Sequence, residues 1–558
     1  MKRAILFIIA IFFLINLNAQ SSISDKEIEN ITIFTKVWGF LKYYHPKVAK
    51  GKFDWDMEFI LKIDEATKLK TKDEINTFYL NWLNGLGKVR ECKKCSDDLS
   101  ELHTKNLDLD FLYDSISFNN ELINKLDYIR KNRNQGKNYY ASHWLFRKAL
   151  SFSREKTYKD SVFPTEQFRL YALARTWNMI NYFFPYKYLT DKAWDDVLTE
   201  FIPEFKFSPD TVSYNMSALK LIANLNDSHA NTFYSSYMNK HKNFGRYYVP
   251  FGGEIINDKA VVTYLKNNTL AEKDDIQVGD VILKVDGVEI EEIIKTKSKY
   301  LPTSNKSTLL RDIYDILFYG HTESIKITYE RNNVISSKII NRYYNAYVKG
   351  LFKYYKEESQ ETYKVLDDNV GYINAGTLKK KQVKTVLEEL NNTKSLIIDI
   401  RNYPSGIMYE LAKYLNDAEK EFAVLIRPNI NYPGTYVYKD PYTCGEQNEN
   451  FYKGKVILLV NENTQSHAET TAMALQTLPN VITLGSQTAG ANGDIVSYQF
   501  PGIKNYPSYT GIGIYYPDGR EIQRVGVKID IKFYPTIEGI RQGRDELLEK
   551  AIEIATKN

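Results

Sequence analysis

The sequence predicts a multidomain α+β protein, and three observations carry that prediction. Two aromatic segments, "KVWGFLKYYHPKVAKGKFDWD" and "RTWNMINYFFPYKYLTDKAWDD", align at an offset of 139 residues and place apolar side chains at helical spacing. From about Tyr247 to Ile340 the pattern changes to short strands separated by tight turns. The last two hundred residues alternate short apolar strands with helical segments, the pattern of an α/β domain. At 558 residues the chain is too long for one ordinary core and divides into three or four domains. Its 43% hydrophobic and 26% charged content is that of a chain folded throughout.

The first nineteen residues read as an export signal. Lys2 and Arg3 precede an apolar run from Ala4 to Ile15, and Leu17 and Ala19 then occupy the critical positions of a small-residue cleavage site. The run is well short of the roughly 20 apolar residues that span a bilayer, so cleavage, and a periplasmic or extracellular protein without a stable membrane anchor, is the expectation. Without Lys2 and Arg3 the chain carries 72 basic residues against 69 acidic ones, and this near-neutral balance does not suggest a nucleic-acid partner.

Residues 24–150 and 160–246 form the N-terminal helical region, with one copy of the internal repeat in each. Trp38, Tyr43, Pro46, Trp55 and Asp56 fall on Trp177, Tyr182, Pro185, Trp194 and Asp195. Each copy reads as a helix stopped by proline and a second helix opening at Trp55 or Trp194. Aromatics at this spacing are read as core, and no chemistry is assigned to them. Three cysteines are too few for a disulfide scaffold. Cys92 and Cys95 in "CKKC" are read as a local disulfide or two ordinary thiols, in preference to redox or zinc chemistry, and Cys444 is left over.

Residues 247–345 form a β domain. "AVVTYL" and "GDVILKVDGVEI" are strands, and Asp286 with Gly287 makes the turn within the second. The phrase "IQVGDVILKVDGVEI" resembles the corresponding segment of PDZ domains, which bind C-terminal peptides by strand addition. That resemblance implies carboxylate binding by the backbone of "PFGGE", at Phe251, Gly252 and Gly253.

Residues 360–558 supply the α/β strands "NVGYINAG", "SLIIDIR", "KVILLVN" and "VITLG". Ser466, in "NENTQSHAE", falls past the end of a buried strand and at the start of a helix. Ser466 and Glu469 have the spacing of a capping box, and local sequence alone favours capping. Two further segments bear on it: "DIRNYPSG" ends in a small-residue turn that can aim N–H groups at an oxyanion, and "NLNDSHANTF" supplies His229. A serine at a helix start, a distant histidine and such a turn are the parts of an acyl-transfer site.

Together these segments, with "GSQTAGANG" and "VGVKIDI", resemble the tail-specific, or C-terminal-processing, serine peptidases and their tricorn-like branch. The resemblance implies a ClpP/crotonase-like peptidase domain, with Ser466 as nucleophile and the His467 N–H as one oxyanion donor. The turn at Ser405 and Gly406 matches the second donor. C-terminal-processing members take a lysine base from the loop after the nucleophile, where this chain has Ala491. The tricorn-like branch takes its base from a Ser-His pair before the PDZ-like segment, which matches Ser228 and His229. There a glutamate acts through the serine; the matching position is Gln523, and Glu521 lies two residues away, on the same face if the segment is a strand.

The expected protein is an exported serine endopeptidase that cleaves polypeptides near their C-termini and needs no metal or organic cofactor. A catalytically silent peptide-binding protein and an esterase on the same fold are the alternatives.

Overall fold

The structure, a computed structural model, describes residues 23–143, 149–158, 163–230, 244–344, 361–503 and 506–557. The expected signal at residues 1–19 lies outside them. Among the described residues no helix is long and apolar enough to cross a membrane.

The two aligned segments fold as helical hairpins. Helix α1 (Asp25–Tyr44) opens on Ser24, which accepts the Glu27 N–H, and stops before Pro46; α2 (Trp55–Ala66) opens on Asp54. Helix α3 (Glu166–Phe183) opens on Thr165 and stops before Pro185; α4 (Trp194–Lys206) follows. In the first hairpin the Trp38 indole donates to the Trp55 carbonyl at 2.8 Å, and Trp55 returns a bond to the Trp38 carbonyl at 3.0 Å. In the second, Trp177 donates to Trp194 at 2.7 Å, and Trp194 to Trp177 at 3.1 Å. Apolar ring burial and satisfaction of each indole N–H are thus met by one contact.

The hairpins pack on each other. A Cβ on Gly39 would lie 1.7 Å from the Asn178 side chain, which instead reaches across to the Thr35 carbonyl at 2.9 Å. Tyr43 and Tyr182 meet edge to face at 5.4 Å. The aromatics are core, and helix α5 (Thr211–Ala223) leads from this region to the turn that carries His229. Cys92 and Cys95 are joined as a disulfide, while Cys444 is free and buried.

The middle region is an antiparallel sheet of β1 (Phe251–Ile256), β2 (Lys259–Leu265), β3 (Val281–Val285), β4 (Ser324–Arg331) and β5 (Val334–Asn341), in the order β5-β4-β3-β2-β1. Asp286 at φ 49° and Gly287 at φ 83° form the tight turn after β3, both central residues having the positive φ of a primed turn. Strand β1 is the last of the sheet and packs against α6 (Lys306–Phe318). Phe251, Gly252 and Gly253 lie inside β1, paired with Leu265, Tyr264 and Val262. A Cβ on Gly252 would strike the Tyr264 ring at 2.3 Å, and one on Gly253 the Tyr314 hydroxyl at 2.5 Å. These glycines therefore make room for two tyrosines.

The C-terminal region is built on a sheet of β6 (Tyr363–Leu366), β7 (Val370–Asn374), β8 (Ser395–Asp399), β9 (Lys455–Val460), β10 (Val481–Gly485) and, later in the chain, Ile531–Lys532, in that spatial order. Only the β6–β7 pair is antiparallel. Both faces are covered, so β7 and β8 are buried along their whole lengths and read in sequence as unbroken apolar runs. Ile373, Ile398 and Leu458 face the large core; Val370, Ile397 and Leu459 face the C-terminal helix Glu546–Thr556.

Replacing either Trp38 or Trp177 by Phe removes an indole N–H from a buried carbonyl and leaves a void, which is expected to cost at least about 2 kcal/mol. A lowered denaturant midpoint for each variant checks this; an unchanged midpoint would mean the reciprocal bonds are dispensable.

Candidate active site

Parallel strands aim their following loops to one edge of a sheet, and ligands of open α/β sheets bind at the carboxyl ends of the strands. Here β8 leads into the turn Asp399–Gly406, β9 into Asn461–Ser466, and β10 into Gly485–Asn492. The first turn is braced at its base, where Arg401 grips the Asp399 carboxylate at 2.7 Å and Asp545 at 2.7 Å. Thr464 ties the second turn to the first by donating to the Ile400 carbonyl at 2.8 Å.

Ser466 precedes helix α7 (His467–Leu475) at φ 58° and ψ −115°. This is not the extended backbone of an ordinary N-cap serine, and a residue with a Cβ held there stores roughly 1–3 kcal/mol. Its N–H is shared between the Ala491 carbonyl at 3.0 Å and Glu469 Oε2 at 3.2 Å. Glu469 is fully buried and accepts three further bonds: from the Thr488 hydroxyl at 2.7 Å, the Gly490 N–H at 2.7 Å and the Ala491 N–H at 3.1 Å. Burial pushes its carboxyl up to about 7, with those hydrogen bonds pulling the other way. Ala491 is buried and places its carbonyl on the Ser466 N–H.

His229 lies in a short 3-10 turn, Ser228–Ala230, after α5. Ser466 and His229 line one cavity of about 530 Å³, together with Tyr403, Asn463, Gln465, Gly493, Asp494 and Ile495. His229 Nδ1 lies 2.7 Å from the Thr510 hydroxyl, which donates to Asp227 Oδ1 at 2.9 Å. A carboxylate only accepts, so the single hydroxyl proton of Thr510 is committed to Asp227 and Nδ1 must carry the proton given to Thr510. That leaves Nε2, buried and without a hydrogen-bond partner among the described residues, as a bare acceptor. Burial lowers the imidazole pKa below its ordinary 6.5, while the Asp227 and Asp494 carboxylates act to raise it.

The remaining sequence-predicted residues lie outside the cavity lining. Ser228 exchanges two bonds with Ser304, N–H to Oγ at 2.8 Å and Oγ from N–H at 2.9 Å. Gln523 donates to Asp227 at 3.3 Å and so touches the base only through that carboxylate. Glu521 is paired with Lys105 at 3.0 Å and with the Tyr188 hydroxyl at 2.5 Å. The segment between Glu521 and Gln523 is not a strand: the chain turns at Gln523 and Arg524 has φ 66°, so the two side chains do not share a face. Ser405 donates to the Leu378 carbonyl at 2.8 Å, Gly406 has φ 71°, and both are exposed; from this turn it is Tyr403 that reaches the cavity. Among the described residues the His467 N–H, at the first helical position, has no hydrogen-bond partner, and its ring stands near Tyr403 at 6.2 Å rather than in the cavity lining. Sequence reasoning missed Asp227, Thr510 and Asp494. Asp227 was within reach, two residues before His229; nothing local marks the other two. No group of three or more His, Cys, Asp or Glu suited to a metal ion occurs among the described residues.

A serine on a strained strand-to-helix turn, sharing a cavity with a neutral imidazole, has the parts of serine-type acyl transfer. Residues 369–533 match the model of peptidase family S41. This match, over the C-terminal region, supports a tail-specific peptidase family and a serine-type peptidase. No curated protein sequence gives a significant match. Among solved structures, mature CPAF complexed with lactacystin is 14% identical, covers 70% of this chain and 98% of its own, and superposes with a TM-score of 0.53. A putative peptidase from Parabacteroides merdae is 14% identical over 71% of this chain and 98% of its own, with a TM-score of 0.43. The photosystem II D1 C-terminal processing protease is 17% identical over 68% and 98%, with a TM-score of 0.37. The first of these extends the shared fold well beyond the family-matched residues.

A carboxyl whose folded pKa is raised from 4.5 to about 7 contributes stability that is complete below 4.5 and lost as pH rises through 7. Wild-type protein is therefore expected to lose stability, by up to about 3 kcal/mol, across that interval relative to Glu469→Gln, which has no proton to lose. Unfolding midpoints measured against pH for both proteins check this; parallel curves would contradict it.

Proposed function

We propose that the protein is an exported serine endopeptidase in which Ser466 is the nucleophile and His229 the general base, acting on polypeptides near their C-termini. The observation that carries this is the shared cavity, which Ser466 and His229 both line, with the His229 Nε2 left without a hydrogen-bond partner among the described residues. In acylation the Ser466 oxygen bonds to the carbonyl carbon as its proton passes to Nε2. Collapse of the tetrahedral adduct breaks the C–N bond, and Nε2 returns the proton to the leaving amine. Water then repeats the sequence on the acyl-enzyme, regenerating Ser466. The His467 N–H, at a helix N-terminus and without a partner among the described residues, serves the oxyanion, with the turn at Ser405 and Gly406 as the source of a second donor after local adjustment.

The middle sheet serves as a PDZ-like reader. Strand β1 is an end strand beside α6, the setting in which an extended peptide adds to a sheet edge. Phe251, Gly252 and Gly253 take part as backbone of that edge. Export follows from residues 1–19, with a mature chain beginning near Gln20.

Full-length protein treated with an alkyl fluorophosphonate is expected to be labelled at Ser466, and both Ser466→Ala and His229→Ala are expected to lose peptidase activity by several orders of magnitude. Because burial lowers the His229 pKa, the base stays neutral to lower pH and the acid limb of activity should fall below 6.5. Full activity in His229→Ala, with a basic pH optimum, would end this reading.

A further inference from the structure

We propose that Thr510 and Asp227 are the positioning residues of the catalytic base, a hydroxyl-and-carboxylate relay that fixes the tautomer and orientation of His229. The proposal rests on the reading of His229 as general base. Two regions far apart in the chain meet here, and each member is buried: Asp227 and Thr510 completely, Gln523 to 1% exposure and His229 to 8%.

The relay is a single hydrogen-bonded line. His229 Nδ1–H points to Thr510 Oγ1 at 2.7 Å, and Thr510 O–H points to Asp227 Oδ1 at 2.9 Å. Asp227 also accepts the Thr510 N–H at 2.6 Å, the His229 N–H at 3.2 Å and the Gln523 amide at 3.3 Å. Every one of these groups donates to the carboxylate, so it is held as a four-donor acceptor and its orientation is not free. The Ser508 hydroxyl adds a bond to the His229 carbonyl at 2.5 Å, fastening strand Ser508–Thr510 along the 227–229 turn.

The arrangement also says what Ser228 and Gln523 do. The Ser228 hydroxyl is occupied by the Ser304 N–H, on the segment leading into α6, so it serves that contact and not the imidazole. Gln523 bears no charge, but it steadies a residue that does. The negative charge that stabilises an imidazolium comes from Asp227, two residues from the base it serves, with the hydroxyl supplied from 281 positions further along the chain.

The test follows the rate of Ser466 labelling by an alkyl fluorophosphonate from about pH 5 to 8 in full-length protein, a window that brackets histidine titration. The charged groups facing His229 are Asp227 and Asp494. Asp494 is untouched in each variant, so any displacement of the acid limb reports the relay. Thr510→Val is expected to slow labelling on the order of a hundredfold and move the acid limb to lower pH, because the imidazolium loses its partner. Thr510→Ser is expected to restore both to within a few-fold of wild type, and Asp227→Asn to behave like Thr510→Val. Melting followed by circular dichroism shows which variants are folded. Nitrogen-15 NMR of histidine-labelled wild type gives a readout that needs no variant: His229 as the Nδ1–H tautomer. An Nε2–H tautomer, an unshifted acid limb in folded Thr510→Val, or failure of Thr510→Ser to restore the rate would each overturn the relay. A wild type that is not labelled would remove the peptidase reading and the relay with it; a labelled wild type with an unaffected Thr510→Val would remove the relay alone.

Discussion

Ser466 is held at φ 58° and ψ −115°, a conformation a residue with a Cβ does not adopt without support, and the rest of the site is arranged by what holds it there. The support comes from two directions. From below, β9 lies in the middle of a parallel sheet whose pairing from β7 to β10 fixes where its last residue ends. From above, the Ser466 N–H is caught between the Ala491 carbonyl and the Glu469 carboxylate, and Glu469 holds the amides of Gly490 and Ala491 as well. One buried side chain therefore fixes both Ser466 and the loop that faces it. The glycine at 490 is required, since a Cβ there would lie 2.7 Å from the Arg524 backbone at a φ of 60°.

The second half of the site comes from a different part of the chain. His229 follows the last helix of the helical region, and its turn is fastened to strand Ser508–Thr510 of the C-terminal region by Asp227 and by Ser508. The site therefore draws on the helical region as well as on the strand ends of the sheet, and the bonds made by Asp227 and Ser508 hold the two together.

Much of this was legible in the sequence where chemistry and local pattern coincide. The buried strands were visible as apolar runs because both faces of the sheet are covered. The tryptophans announced the hairpins, although the reciprocal indole–carbonyl bonds did not, because a carbonyl partner leaves no trace in residue type. The Ser466–Glu469 spacing has a visible local meaning. Glu469 does accept the Ser466 N–H as a capping box requires, but the positive φ at Ser466 turns that bond into a brace for a strained turn. The contact of Thr510 with His229 was invisible because it spans 281 residues, and the contact of Gln523 with Asp227 left no mark in the sequence either. Glu521 was a reasonable choice by chemistry, but the same-face argument needed a strand where the chain turns.

The middle region is joined to the site by a short path of hydrogen bonds rather than by a flexible hinge. Asn305 caps α6 by accepting the Thr308 N–H at 3.0 Å, and its amide nitrogen donates to the carbonyls of Thr488 at 2.9 Å and Ala489 at 3.1 Å. Thr488 in turn gives its hydroxyl to Glu469. The helix that lies beside strand β1 therefore begins on the same loop that Glu469 holds against Ser466. At its other end Phe318 packs on Phe251 at 5.2 Å, and along its length Tyr314 covers the backbone of Gly253. A helix is stiff along its axis, so its position relative to β1 and its position relative to the Thr488–Ala491 loop are not independent. The small residue at 253 sets how closely the helix approaches the sheet, and through Asn305 that distance is linked to the loop beside Ser466.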